Sequence, residues 1–446
     1  MTIKQFEYKP LAHFSYAIIS DGQMALVDPQ RDPQQYYSYA EENNAKIVAV
    51  FETHPHADFV SSHLQIHKEC GATLYASKKM GAGYAHKSFD DGSEITIGKA
   101  TFKAINTPGH SPDSITIVAS ENNETALFNG DTLFVGDVGR PDLRENVGHM
   151  TAKREELAKA MYHSIQNKFN DLPDNALVFP AHGAGSLCGK GMSADATSST
   201  LGNERMGNWA FKKQTEAEFV SHLLDSQPFI PHYFGYNVDI NKEGAEILQK
   251  SISTIPVKLN VSEVEKDAVI IDVRAAADFK KSHLPGSFNI MAISDNAQFE
   301  TWLGSIVRPE EDYYLVVNSS EEIQKILNRV AKIGYEKNLK AVMTLAKTEM
   351  ESSAELPLED FRNNTEKYTI IDIRNDGEVA DGKFFESALA IPLHRLRESI
   401  SEIPQDKPII VHCAAGFRSA AGSSIIDKSI DKVPVYDLGE NIKDFK

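Results

Sequence analysis

Two stretches one hundred residues apart constrain this chain most. "AVIIDVRAAADF", starting at Ala268, and "YTIIDIRNDGEV", starting at Tyr368, repeat one apolar run that ends in Asp-x-Arg. A repeat of that period is domain-sized rather than solenoid-sized. Each copy continues into a second buried-looking strand, "DYYLVVNSS" in the first and "KPIIVHCAAGFRS" in the second, and then into a helical pattern. Short apolar strands separated by helices pair in parallel. The reading is therefore two small parallel-sheet α/β domains, over 256–346 and 355–446, joined by the polar segment "TEMESSAELPLED". Asp272, Arg274, Asp372 and Arg374 read as scaffold residues of these strands rather than catalysts.

Residues 1–250 have a different pattern. Strand-like runs such as "MALVDP" and "KIVAVFETH" alternate with helical periodicity, which suggests a layered α/β domain with its sites at strand ends. Its last portion, "SADATSSTLGNERMGNWAFKKQTEAEFVSHLLDSQP", reads as a loop followed by closing helices.

A length of 446 residues fits several domains. A net charge of −17 argues against a general affinity for nucleic acid or anionic lipid, which begins with a basic face. No segment approaches the roughly 18 apolar residues of a membrane span, and the start lacks the pattern of a signal peptide. A cytoplasmic protein is expected. Three cysteines, Cys70, Cys188 and Cys413, are too few and too scattered for a disulfide framework.

Chemistry concentrates in two places. In the first, "FETHPHADFVSSH" supplies His54, His56 and Asp58, "NTPGHSPDS" His110, "LFNGDTLF" Asp131 and "LVFPAHGAG" His182. Imidazole and carboxylate groups on loops just beyond strands are what borderline divalent metals bind. This ordered series resembles the metallo-β-lactamase superfamily. Two-metal members of that superfamily carry HxHxDH, and here the final histidine is replaced by Phe59. The second metal position then keeps only Asp58, His182 and a share of Asp131, whereas His54, His110 and Asp131 can still hold one ion. Two histidines and one carboxylate with open positions form the facial set of non-haem Fe(II) oxygenases.

"GDTLFVGDVGRPDL" is similar to the persulfide dioxygenase group, with Arg140 and Asp142 in its GRxD element. That resemblance implies one Fe(II) per chain, Asp131 as its carboxylate, and His56 behind the ligands. Many members of the group keep HxHxDH and still bind one iron, so Phe59 fits the group without being its signature. Cys188 and Arg205 are candidate contacts for an anionic thiol substrate, and Arg140 a third. His63 and His67, four apart on a helix, read as a solvated or partly packed face. His86, His149 and His163 belong to no partnered motif, and Cys70 reads as structural.

The second place is "IIVHCAAGFRSAAGSS". A strand delivers Cys413 to a loop of small residues that opens a helix, so amide N–H groups and the helix dipole converge on the sulfur. Arg418 closes the six-residue loop. This resembles the active loop of a rhodanese sulfurtransferase; Cys-based phosphatases use one more residue. The first copy has Asn318, Ser319 and Ser320 in the cradle region with no cysteine, and Glu321 and Glu322 beside them, so it reads as a silent domain for spacing or assembly.

Taken together, the resemblances imply a metallo-β-lactamase αββα sandwich followed by two rhodanese-like α/β domains with parallel sheets. They match bacterial fusions of persulfide dioxygenase and sulfurtransferase. The expected substrates are a low-molecular-weight thiol persulfide, oxygen and sulfite, with Cys413 carrying sulfur toward thiosulfate, and a homo-oligomer is expected. Two alternatives stay open: a glyoxalase-type zinc thioester hydrolase, and a non-catalytic sulfur carrier or scaffold.

Overall fold

A computed structural model describes residues 1–144, 153–265, 267–348 and 350–445. His149 lies outside the described residues. By packing, the chain divides into one unit of Met1–Lys250 with Ala331–Gly334, and another of Ser251–Val330 with Tyr335–Lys446.

In the first unit, two six-stranded sheets are built in sequence order. One runs through Thr2–Tyr8, His13–Ser20, Gln23–Val27, Lys46–Phe51, Thr73–Ala76 and Lys87–Ser88. The other runs through Glu94–Ile97, Ala100–Asn106, Ile115–Glu121, Glu124–Gly130, Leu177–Pro180 and Ser199–Thr200. Both sheets are mixed: hairpins pair antiparallel, while Gln23–Val27 lies parallel to Lys46–Phe51 and Glu124–Gly130 parallel to Leu177–Pro180.

Alternating side chains of the two sheets meet in an apolar layer containing Phe14, Tyr16, Phe51, Phe102, Ile117 and Phe128. The Phe51 and Phe102 rings stack at 5.3 Å between centroids. Helices cover the outer faces. Gln34–Glu42 and His63–Cys70 contribute Tyr36, Ala40 and Ile66 to a core with Leu26 and Val50 on one side. Arg154–Asn167 and Glu216–Leu224 contribute Met161, Ile165, Phe219 and Leu223 on the other. This is the αββα sandwich expected from the sequence.

The second unit holds two parallel sheets. The first has the order Val257–Val261, Leu339–Leu345, Tyr313–Val316, Val269–Asp272, Phe288–Asn289. The second has the order Leu389–Ala390, Thr369–Asp372, Ile409–His412, Val435–Asp437. The repeated strands occupy equivalent places, since Ile270 pairs with Tyr314 as Ile370 pairs with Ile410. Each Asp-x-Arg closes on itself: Arg274 and Arg374 donate to Asp272 and Asp372 at 2.6 and 2.7 Å, bracing the strand end. The two sheets' domains are tied by Arg397 to Glu311 at 2.8 Å and by Lys280 to the buried Asp437 at 2.8 Å. No helix among the described residues is long and apolar enough to cross a membrane.

Candidate metal centre and thiol loop

Four strand ends of the sandwich deliver the metal-type residues. Lys46–Phe51 leads to His54, Ala100–Asn106 to His110, Glu124–Gly130 to Asp131 and Leu177–Pro180 to His182. The loops come close together because Gly130 has φ +52 and no side chain; a Cβ there would sit 2.3 Å from Thr53 Oγ1. Asn241, on helix Tyr233–Glu243, clamps the first loop. Its amide donates to the carbonyls of His56 and Phe59 at 2.8 and 2.7 Å and accepts from Ser61 N–H at 2.8 Å.

His54, His110 and Asp131 are buried, and their ligand atoms lie within 4.8 Å of one another. Hydrogen bonds fix both imidazole tautomers. Thr53 Oγ1 donates its one proton to Asp28 Oδ2 at 2.8 Å, so toward His54 Nδ1, 3.0 Å away, it can only accept. The His54 proton therefore sits on Nδ1. His110 Nδ1–H donates to the Arg140 carbonyl at 2.8 Å. In both rings Nε2 is then the unprotonated nitrogen, and these nitrogens stand 3.8 and 3.5 Å from Asp131 Oδ2. That oxygen is buried with no hydrogen-bond partner among the described residues. Two lone pairs converging on an orphaned carboxylate oxygen form a donor set that fits one divalent ion. Burial, together with His56, pushes His54 well below the usual histidine range, keeping it neutral as a ligand must be.

The position of a second ion is differently built. His182 Nδ1 meets Asp131 Oδ1 at 2.7 Å and its Nε2 meets Asp58 Oδ2 at 2.8 Å. Although burial opposes its charge, these carboxylates raise His182 well above the usual range, and the same Asp58 and His182, with Cys188, form a second buried group of metal-type donors. Phe59 is fully buried, its ring centroid 3.8 Å from that of His13 and 4.4 Å from that of His56. His56 Nε2 turns to Asp28 Oδ1 at 3.0 Å. Cys188 is buried, its sulfur grouped with Asp58 and His182. Burial foremost, and the neighbouring Asp131 and Asp58, push its thiol well above the usual range, so it stays protonated.

The two arginines singled out from the sequence are both engaged within the protein. The Arg140 guanidinium is engaged by Asp142 at 2.6 Å and by the Leu187 carbonyl at 3.2 Å, so it braces its own loop rather than offering a free fork to substrate. The Arg205 guanidinium is held by Asp174 and by the carbonyls of Phe169 and Leu172, at 2.5 and 3.1 Å for the last two. His63, read as lying on a solvated or partly packed face, is buried 3.6 Å from Glu52. Asp28, Thr53 and His13 were not singled out from the sequence. The available signal was that Asp28 directly follows an apolar strand, "MALVDP", as His54 nearly does.

In the second unit Cys413 follows the buried strand Ile409–His412 and precedes helix Phe417–Ser429. Its sulfur is buried and accepts the Gly416 N–H at 3.1 Å. Gly416 has φ +100, and a Cβ there would lie 2.9 Å from the Gly439 carbonyl carbon. Arg418 pairs through both terminal nitrogens with Glu378, at 2.6 and 2.7 Å. In the first copy the strand register puts Val317, also buried, where Cys413 stands, and Glu321 and Glu322 follow in the turn Ser320–Glu322 before the next helix. The sulfur's seat is thus filled by a valine, one residue before the Asn-Ser-Ser cradle read from the sequence.

A family model described as the metallo-beta-lactamase superfamily matches residues 8–182, and one for the rhodanese-like domain matches 259–343 and 358–442. Mitochondrial persulfide dioxygenases of Bos taurus and Homo sapiens are 27% and 26% identical over 162 residues, 35% of this chain and 58% of theirs. A probable hydroxyacylglutathione hydrolase of Schizosaccharomyces pombe is 32% identical over 135 residues, 30% of this chain and 47% of that protein. The chain therefore spans about half the length of these curated relatives. A solved metallo-beta-lactamase from Staphylococcus aureus subsp. aureus COL is 30% identical, with a TM-score of 0.67, and covers 77% of this chain and 99% of its own. The chain belongs to the metallo-beta-lactamase superfamily and carries two rhodanese-like domains behind its sandwich.

Proposed function

We propose that the chain is an iron-dependent persulfide dioxygenase coupled to a sulfurtransferase. The observation that carries this reading is the donor set of two tautomer-locked histidines and the orphaned Asp131 oxygen, with Phe59 standing where a further histidine would serve a second ion. Its similarity to persulfide dioxygenases supports the choice of reaction. His54, His110 and Asp131 would hold one Fe(II), which when bound supplies the open positions where a thiol persulfide and oxygen meet. One persulfide, one oxygen molecule and one water give one thiol, one sulfite and two protons.

The protein's own part is positioning. Thr53 and the Arg140 carbonyl keep the ligand nitrogens deprotonated toward the site. His182 stands between two carboxylates. Cys188 presents a neutral S–H beside them. In the second unit, Cys413 would take up a sulfane sulfur as an enzyme persulfide, stabilised by the Gly416 N–H and the helix N-terminus. Sulfite attacking the outer sulfur breaks the S–S bond, forms thiosulfate and returns the Cys413 thiolate; the reverse reaction loads it.

Oxygen uptake by anaerobically purified protein of graded iron content, given a small-thiol persulfide, tests the first reaction. Uptake should scale with iron and release sulfite or thiosulfate, and Cys413→Ser should change only the product ratio. A folded, iron-loaded sample that consumes no oxygen would sink the dioxygenase reading and leave zinc thioester hydrolysis to test.

A further inference from the structure

The arginine that closes the thiol loop points its fork at a carboxylate. Glu378 receives both Arg418 terminal nitrogens, a bidentate pair of the strong charge-assisted kind. Glu378 is itself held from two sides. Its Oε2 accepts the Asn375 N–H at 3.0 Å, and its main-chain carbonyl accepts Arg374 Nη1 at 3.2 Å. Arg374 is in turn locked onto Asp372 at the strand end. On the far side, the Trp302 ring, from the copy without a cysteine, lies 5.7 Å from Arg418 Cζ. The Arg418 side chain is 14% exposed and that of Glu378 36%, so a small solute can reach the pair from the Glu378 side.

The electrostatic consequence is specific. With Arg418 neutralised, the attraction for an anion at Cys413 comes from the Gly416 amide and the start of the thirteen-residue helix Phe417–Ser429. Those donors suffice for one thiolate or persulfide sulfur. A dianion such as sulfite or thiosulfate brings two further charges into a loop whose closing guanidinium, that of Arg418, is already matched.

We propose that Glu378 determines acceptor specificity in the thiol loop: by occupying the Arg418 fork it raises the KM for dianionic sulfur oxyanions relative to thiols. The proposal rests on reading Cys413 as the sulfur-transfer cysteine, and it deepens that reading. The cysteine-less copy has no arginine at this turn, where Glu321 and Glu322 stand, and the repeat puts Asp278 at the position of Glu378.

The test compares alkylation of Cys413 in the full-length protein by iodoacetate, which is anionic, and iodoacetamide, which is neutral, followed on the Cys413 peptide by mass. Glu378→Gln removes the charge but keeps an acceptor for the Asn375 N–H. It should raise the iodoacetate-to-iodoacetamide rate ratio roughly three- to ten-fold, as expected for removal of one unit charge near the loop, and lower the sulfite KM more than it changes kcat. Glu378→Ala should move the ratio the same way. An unchanged ratio overturns the proposal. So does equal acceleration of both reagents, the mark of a merely loosened loop. Failure of the wild-type protein to make thiosulfate would instead overturn the sulfur-transfer reading, while the alkylation ratio would still decide the role of Glu378.

Discussion

One hydroxyl decides which nitrogen of His54 is protonated. Thr53 passes its proton to Asp28 and can only accept from the ring, so Thr53→Val, nearly the same shape, removes the acceptor without opening a cavity. Iron affinity measured by chelator competition should fall by about ten- to a hundred-fold, with the far-ultraviolet circular dichroism unchanged; undiminished affinity would show that the tautomer is set elsewhere. This support was not legible in the sequence, although the candidate ligands were. His54, His110 and Asp131 announce themselves by type and by position after apolar runs, but Asp28 becomes Thr53's partner only because Val27 pairs with Phe51 across a parallel register. The partners of Arg140 and Arg205 stayed hidden for the same reason: the carbonyls and carboxylates that engage them are brought near by the fold and are invisible in one dimension. In the second unit, burial lowers His412 from 6.5 to about 4. Between those values the unfolded chain binds a proton that the folded chain does not, so stability falls as pH drops through this window, by up to about 3 kcal/mol. Urea unfolding followed by Cys413 alkylation at pH 7 and pH 5 should show the loss, and His412→Gln should flatten it.

At the scale of elements, the thiol loop depends on a strand, a tight turn and a helix start meeting within a few residues. Gly416 makes that turn at φ +100, with the Gly439 backbone packed against it. Gly416→Ala should cost roughly 1–3 kcal/mol of local strain and displace the amide that reaches the sulfur. Sulfur loading of Cys413, read by mass, should drop at least several-fold while oxygen uptake by the same sample stays intact. Full loading of the variant would mean that the amide contact is dispensable. The strands, the repeat and the loop were all readable because their signals are local: apolar runs, Asp-x-Arg and a cysteine between a strand and a helix. What stayed hidden was the seat itself. Which residue of the first copy stands opposite Cys413 follows from strand pairing, and that places Val317 there rather than the neighbouring polar residues.

For the whole molecule, the division into two units predicts that the metal matters to only one of them. A ligand bound at a thousand times its dissociation constant stabilises the folded state by about 4 kcal/mol. Calorimetry of the iron-loaded chain should therefore resolve two transitions, of which a chelator lowers one and leaves the other in place. A uniform shift of both would show that the units unfold together. The two rhodanese-like copies share one unit, and their divergence has its own consequence. Valine in the sulfur's seat makes the duplication a ratchet. Val317→Cys alone would restore a thiol beside Glu321 and Glu322, whose charges oppose a sulfur anion, so recovering chemistry there requires at least two coordinated changes. A lineage carrying only the first gains nothing for selection to keep, and the silent copy is free to drift toward whatever its neighbour needs.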